Sequence, residues 1–243
     1  MDILTKIIII AVSVILPGTL YLLFINQGFI DRIRRTPIYL IKELPSQGKV
    51  AFIGKAETNT QISPITKKDC VNFNCYVQEL KYFGDDHDPH QITIYEDSSK
   101  EPLLISDETG SIQVDLNRAN IILGPDLQER VTADTNPVIH HHLSELGKNI
   151  INNRDSEKSF WVYEEFISAG ESIYILGNVR QIDGKYIITN KWNNRVVISD
   201  YSKEELLKRY SDLKNQVIRF FPIALIIILL FLIAAIIIFK WSP

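Results

Sequence analysis

Two uncharged apolar runs, one near each end of the chain, constrain its fold more than any other feature. The first runs from Ile7 to Ile25 (IIIIAVSVILPGTLYLLFI) and the second from Phe220 to Phe239 (FFPIALIIILLFLIAAIIIF). A membrane-spanning helix needs ~20 apolar residues, because each residue adds ~1.5 Å across a hydrocarbon layer ~30 Å thick. No small-residue cleavage pattern follows the first run, so it is not typical of a signal peptide. The sequence therefore predicts an integral membrane protein with two spans.

The region between the runs, Asp31 to Arg219, is acidic overall. The chain has 26 Lys and Arg and 29 Asp and Glu; setting aside Lys6, Lys240 and Asp2 leaves 24 and 28, a net charge of −4. A nucleic-acid-binding surface needs a basic excess. Nucleic acid is therefore not expected as a partner.

Basic residues gather where this central region meets the two runs. Because basic flanks tend to stay on the cytoplasmic side of a membrane, we expect the central domain to face the cytoplasm at the cell membrane and to contact membrane lipids. The residues placed at the membrane interface are Arg32, Arg34, Arg35, Lys214 and Arg219.

Short segments rich in branched and aromatic residues predict strands through the central region. They include KVAFIGKAE, FNCYVQELKYF, FWVYEEFI, SIYILGNVRQI, KYIITN and RVVISD. The turn at Thr109-Gly110 predicts a hairpin between PLLISD and the alternating segment SIQVDL, and Asp183-Gly184 predicts another. Helices are expected over NPVIHHHLSELG, which has a proline start, and over SKEELLKRYSDLKNQVIRF, which begins with a capping box.

These elements predict an α+β membrane protein in which two transmembrane helices flank a β-rich soluble domain. Because the strands are many, short and separated by turn signals, we expect an antiparallel, barrel-like sheet with one or two helices. The predicted boundaries are 3–25 for the first transmembrane helix, 32–210 for the soluble domain and 219–239 for the second transmembrane helix.

No residue pattern is typical of a catalytic centre. Cys70 and Cys75 lack the second ligand pair that a zinc site needs, so we interpret them as buried thiols. The stretch DDHDPH at 85–90 has ligands for a divalent ion, although such stretches between strands are more often solvated loops. Glu164 and Glu165 are adjacent on an alternating strand, which favours a surface position over a catalytic pair. No cofactor is expected, since no nucleotide-binding motif occurs.

Several segments occur in an order that resembles the GIDE domain, also called the beside-a-membrane (BAM) domain. They are RIRRTP, GKVAFIGKAE, SPITKKDCVNFNCYVQEL, DETGSIQVD, GESIYILGNV and VVISDYSKEELLKRY. The resemblance covers about 32–210 together with both flanking runs. It places family-motif positions at Thr36, Pro37, Gly54, Cys70, Asp107, Gly110, Ser199 and Asp200.

The resemblance implies a relation to membrane-anchored, RING-type E3 ubiquitin ligases. In the eukaryotic ligases a RING with eight Cys and His zinc ligands follows the second membrane helix, whereas this sequence has two cysteines. We therefore expect a prokaryotic-type relative without the RING, a non-catalytic binding or scaffolding module at the bilayer surface with an unidentified protein partner. The alternatives are an E3 ubiquitin ligase family member that acts with a separate RING or E2 partner, and a metal-dependent hydrolase that uses residues 85–90.

Overall fold

A computed structural model describes most of the region between the two apolar runs. The described residues are 27–57, 61–81, 90–99, 101–146, 158–182, 185–190, 195–219, 222 and 226. The chain divides into two compact units, one formed by Met1–Thr36 with Lys203–Pro243 and the other by Pro37–Ser202.

The first unit pairs a helix from each end of the chain. Helix α1 covers 27–35 and helix α3 covers 203–219. The rings of Phe29 and Tyr210 lie with their centroids 4.5 Å apart, and Lys214 Nζ donates a hydrogen bond to Gln27 Oε1 over 2.5 Å. These contacts join the two helices side by side.

The prediction of an integral protein with two transmembrane helices is corrected here. Among the residues that the structure describes, no helix is both long enough and apolar enough to cross a membrane. The predicted span at 3–25 lies outside the described residues, as does all of 219–239 except 219, 222 and 226. The fold class and the localisation that we predicted are therefore wrong in their membrane part.

The second unit is built mainly of strands, with one short 3-10 helix at Ile41–Glu43 and one α-helix, α2, at Pro137–Glu145. The strands in its described part are β1 (Gln47–Ala56), β2 (Gln61–Ile62), β3 (Asp69–Cys70), β4 (Asn72–Lys81), β5 (His90–Ser98), β6 (Leu103–Asp107), β7 (Gly110–Val114), β8 (Asn120–Ile122), β9 (Leu127–Val131), β10 (Ser159–Ile167), β11 (Ser172–Ile182), β12 (Lys185–Thr189) and β13 (Val197–Ser199).

Five of these strands close into a barrel. They are hydrogen-bonded in the order β1-β6-β7-β12-β11, and β11 pairs back onto β1. All neighbours are antiparallel except β7 and β12, which are parallel. This is the five-stranded Greek-key arrangement of the OB fold. Strands β13 and β8 extend the same sheet beyond β11.

A separate four-stranded sheet, in the order β5-β4-β10-β9, is inserted into the barrel connections. Strands β4 and β5 come between β1 and β6, whereas β9 and β10 come between β7 and β11. The barrel and the inserted sheet each have their own cluster of buried apolar residues. We call these the barrel core and the sheet core.

Both predicted hairpins are confirmed by the strand pairing. In the first, Asp107 lies opposite Gly110 and Leu103 opposite Val114. In the second, β11 and β12 pair antiparallel as far as Ile182 and Lys185, which flank the predicted turn. The turn residues 183–184 themselves lie outside the described part of the chain.

Candidate functional site

The two cysteines occupy the sheet core as free thiols, which agrees with the interpretation made from the sequence. Burial, followed by the nearby negative charge of Glu164, raises the pKa of Cys70 to about 11 and that of Cys75 to about 12. Because the thiolate is the reactive form of cysteine, both side chains are poor nucleophiles at neutral pH. They contribute packing rather than chemistry.

Metal ligands are not assembled in the described part of the chain. Within it, no group of three or more His, Cys, Asp or Glu side chains is placed to hold a metal ion. The acidic stretch at 85–90 lies outside the described residues apart from His90, which begins β5. The histidines at 140–142 lie on α2, where His142 Nδ1 is 2.8 Å from the backbone oxygen of Ile65.

Glu164 is a fully buried carboxylate that organises the turn at 63–66. Its Oε1 accepts a hydrogen bond from the backbone N–H of Ile65, and its Oε2 accepts bonds from the N–H of Thr66 and the hydroxyl of Ser63. The prediction that Glu164 and Glu165 lie on the surface is wrong, because both are buried. Glu165 instead accepts hydrogen bonds from Asn74 and Tyr163.

The family-motif residues of the β6–β7 turn form a local scaffold. Asp107 Oδ1 accepts bonds from the hydroxyl and N–H of Thr109 and from the N–H of Gly110, while its Oδ2 accepts from the N–H of Ile41. Burial raises the pKa of Asp107, but the bonds from Thr109, Ile41 and Gly110 outweigh it and hold the pKa below its usual value. The carboxylate thus ties the 3-10 helix to the barrel.

The other motif positions make separate local contacts. Asp200 Oδ2 accepts a bond from the N–H of Gly124, and Ser199 donates from its hydroxyl to the oxygen of Ile122. Gly54 lies in β1, and Thr36 is a buried residue whose hydroxyl donates to Arg32 O. We therefore interpret the motif residues as structural rather than as members of one site. Pro37, which begins the second unit, is exposed.

The residues that we assigned to a membrane interface lie on α1 and α3. Arg34 is within 4.0 Å of Asp31, and Lys214 contacts Gln27. Arg35 and Arg219 are exposed, and Arg32 is half-buried. No observation bears on their contact with lipid, so that assignment stays a prediction.

An open groove of about 680 Å³ lies on the outer face of the barrel, across β6, β7 and β12. Leu104 lies opposite Gln113 in the β6–β7 register, and Gln113 lies beside Ile187 in the β7–β12 register. Their neighbours in sequence point into the barrel core, so these three side chains form an outward row. The lining residues are Glu101, Pro102, Leu104, Ser111, Gln113, Lys185, Tyr186 and Ile187.

The groove has the mixed lining of a binding surface. Leu104 is 40% exposed although it is a large apolar side chain. Exposed charges stand on both sides of it, Glu101 before β6 and Lys185 at the start of β12. Half of the lining residues are polar, so the groove is a mixed surface rather than the predominantly apolar pocket that encloses a small ligand.

The position of the groove also has a precedent in the fold. OB-fold proteins bind oligonucleotides and oligosaccharides on the face of the second and third barrel strands and on the adjoining loops. In this barrel those strands are β6 and β7, and Glu101, Pro102 and Lys185 flank the corresponding connections. In the sequence, the only hint of this groove is the second leucine of PLLISD, Leu104. The sequence alone does not show that the strand carrying it lies close to β12, because that proximity depends on the barrel topology.

Comparison with known proteins gives a match to a protein family. The sequence model of the GIDE family, described as E3 Ubiquitin ligase, matches residues 77–233. The matched region contains every residue that lines the groove. No curated protein and no solved structure matches the chain.

Proposed function

Because the chain belongs to the GIDE family, we propose that it is a non-catalytic binding module that holds a protein partner in the groove on its barrel. The groove carries this proposal, since it combines the exposed Leu104 and the half-buried Ile187 with flanking charges, on the face where OB folds bind their ligands. The protonated thiols favour binding over cysteine-based catalysis.

The lining favours a protein over nucleic acid. Only one lining residue is a cation, and an anion, Glu101, faces the same groove. Nucleic-acid grooves neutralise phosphates with several Lys and Arg side chains. A protein segment needs only modest charge and an apolar contact, which Leu104 and Ile187 supply.

The proposal is tested by changing the groove without changing the core. Leu104→Glu places a charge in the groove, and Ile53→Glu is a matched control because Ile53 is 41% exposed on β1 and does not line the groove. We expect proteins that co-purify with the wild-type chain to be lost with L104E and retained with I53E, as measured by quantitative mass spectrometry. Equal recovery with both variants would show that the groove is not the binding surface.

The family match favours a second candidate function. The family model is described as an E3 ubiquitin ligase, so the chain is a candidate accessory that acts with a separate ubiquitin-ligase chain. A reconstituted ubiquitination reaction with a RING ligase and its E2 tests this. Faster ubiquitin transfer on adding the wild-type chain, but not L104E, would support the accessory role; no acceleration would remove it.

A further inference from the structure

We infer that the groove takes an extended acidic segment of its protein partner, with an apolar side chain seated between Leu104 and Ile187 and a carboxylate held by Lys185 and Arg180. This inference rests on the proposed function and adds the chemistry of the occupant to it. It is drawn from the way that charge is distributed around the row of outward side chains.

The charges on the two sides of the groove differ in sign. Arg180 lies opposite Ile187 in the β11–β12 register, so it occupies the next position in the row beyond the groove. Lys185 lines the groove itself and precedes Ile187 by two positions on the same strand, which places it on the same face. The β11–β12 side is therefore cationic, whereas the β6 side carries Glu101.

These cations are available to a ligand. Lys185 and Arg180 are exposed, and neither forms an ion pair with another residue in the described part of the chain. A basic segment would meet repulsion on this side, whereas the carboxylates Glu101 and Glu57 lie on the other; the N–H of Glu57 donates a hydrogen bond to the oxygen of Leu104.

The dimensions fit a short extended segment. Neighbouring strands are ~4.8 Å apart, so the row from Leu104 to Arg180 crosses three strand spacings, or ~14 Å. An extended chain advances ~3.3 Å per residue and needs about four residues to cover that length. The apolar position between Leu104 and Ile187 and the carboxylate position between Lys185 and Arg180 are about half that length apart, so the apolar and acidic residues of the occupant are separated by about two or three positions.

The experiment uses the full chain and two labelled hexapeptides of opposite charge. The acidic probe is acetyl-Leu-Ser-Leu-Ser-Asp-Asp-amide, and the basic probe has lysine in place of both aspartates. Fluorescence anisotropy gives the dissociation constants. The variants are Lys185→Glu combined with Arg180→Glu, and Leu104→Glu, with the double variant Lys49→Glu and Lys55→Glu as a charge-matched control on β1.

We expect the acidic probe to bind the wild-type chain and the control alike, and to bind the K185E/R180E chain at least about ten-fold more weakly, since two attractive charges become repulsive. Tight binding of the basic probe that L104E abolishes would overturn the acidic inference and leave the groove as a peptide site. An equal loss in the β1 control would also overturn it.

Two other outcomes would also overturn the proposed function. If neither probe binds at millimolar concentration and L104E also leaves the co-purifying proteins unchanged, both the inference and the proposed function fail. If a labelled eight-residue oligothymidylate binds in an L104E-sensitive manner, the occupant is nucleic acid, and both proposals of a protein partner are overturned.

Discussion

At the scale of single residues, Glu164 stands out because it is a carboxylate with no exposed surface. It accepts two backbone N–H bonds from Ile65 and Thr66 and a hydroxyl bond from Ser63. Burying a carboxylate is costly unless hydrogen bonds compensate it. Here the compensation comes from a turn about 100 positions earlier in the chain, so Glu164 fastens that turn to the inserted sheet.

Replacing Glu164 by Gln tests this role. The amide keeps one acceptor but turns an NH₂ group toward the donors, so we expect a loss of about 1–3 kcal/mol in the free energy of unfolding. Urea denaturation measures it. The control is Glu96→Gln, the same change at an exposed position of β5, which should stay within about 0.5 kcal/mol of the wild type. A loss of the same size in both variants would contradict the role given to Glu164.

Asp126 is a second carboxylate whose environment sets its charge. Although the residue is partly exposed, desolvation of its carboxylate raises the pKa of Asp126 above the usual value, and the charges of Asp200 and Glu164 add to this, while the Phe166 N–H and Lys68 act in the opposite direction. The folded state therefore keeps the Asp126 proton to a higher pH than the unfolded state does. Ionising Asp126 thus costs stability as pH rises through its folded pKa.

The Asp126→Asn variant removes that cost. We expect its stability relative to the wild type to become more favourable between pH 4 and pH 7, as measured by denaturant unfolding at each pH.

The Asp107→Asn variant is the opposite case. The folded pKa of Asp107 is lowered, so the stability that its carboxylate contributes is lost as pH falls through that pKa. D107N should therefore be most destabilising at pH 7. The same pH trend in both variants would be incompatible with these environments.

At the scale of elements, Gly54 marks the place where β1 changes partners. Residues 47–55 of β1 pair with β11, and Lys55 and Ala56 also pair with Ser106 and Ile105 of β6. A Cβ at position 54 would lie 2.4 Å from Ile105 Cγ2 and 2.7 Å from the backbone oxygen of Ser106. The strand can approach β6 this closely only without a side chain, and the closure of the barrel depends on it.

Gly54→Ala should therefore lower the free energy of unfolding by about 1–3 kcal/mol, the usual cost of forcing extra atoms into a packed core. Gly28→Ala is the control, since Gly28 is helical and a Cβ there would meet no atom within 4 Å. That change should be neutral or stabilising by up to ~1 kcal/mol. Thermal unfolding of both variants checks the contrast, and an unaffected G54A chain would count against a tight closure.

Helix α2 depends on its first turn. The side chain of Asn136 accepts a hydrogen bond from the N–H of Ile139 and donates one to Glu129 on β9. We expect Asn136→Ala to cost about 1 kcal/mol or somewhat more, because it removes a helix cap and a link to the sheet together. Circular dichroism during urea unfolding measures this. Val138→Ala, at an exposed position of the same turn, should show little change; a similar loss there would mean that the cap is not the cause.

At the scale of the whole molecule, the second unit has two cores that the chain visits alternately. Val162 belongs to the sheet core and Ile175 to the barrel core. Separate cores can open with separate free energies, which hydrogen exchange reports strand by strand. We therefore expect a substitution in one core to speed hydrogen exchange mainly in the strands around that core.

Truncating one core side chain at a time tests this separation. Val162→Ala should speed amide exchange in β4 and β10 more than in β1 and β11, and Ile175→Ala should do the reverse, with each change costing roughly 1–4 kcal/mol. Hydrogen exchange with mass spectrometry resolves the two regions. Equal acceleration in all four strands by either variant would show a single cooperative core.

Local signals in the sequence predicted individual turns, strands and helices well, but they did not predict how these elements pack together. The Thr109-Gly110 turn and the Asn136-Pro137 helix start depend on neighbouring residues, and both appear where the pattern placed them. The burial of Glu164 depends on donors from a distant turn, and the groove depends on β12 lying beside β7. No local pattern encodes those contacts. The apolar runs suggested spans, but no described helix is able to cross a membrane.

The pairing of β1 with β11 has a consequence for how the protein is made. Gln47 pairs with Arg180, 133 positions later, and the barrel also needs β12, which ends at Thr189. A ribosome adding ~5–20 residues per second takes roughly 7–27 s to cover that interval. During this interval the barrel core around Val50 and Phe52 is incomplete, so both side chains stay exposed. The nascent chain is therefore prone to aggregation for longer than its size alone would suggest. We expect its yield in cells to depend on chaperones that act during translation.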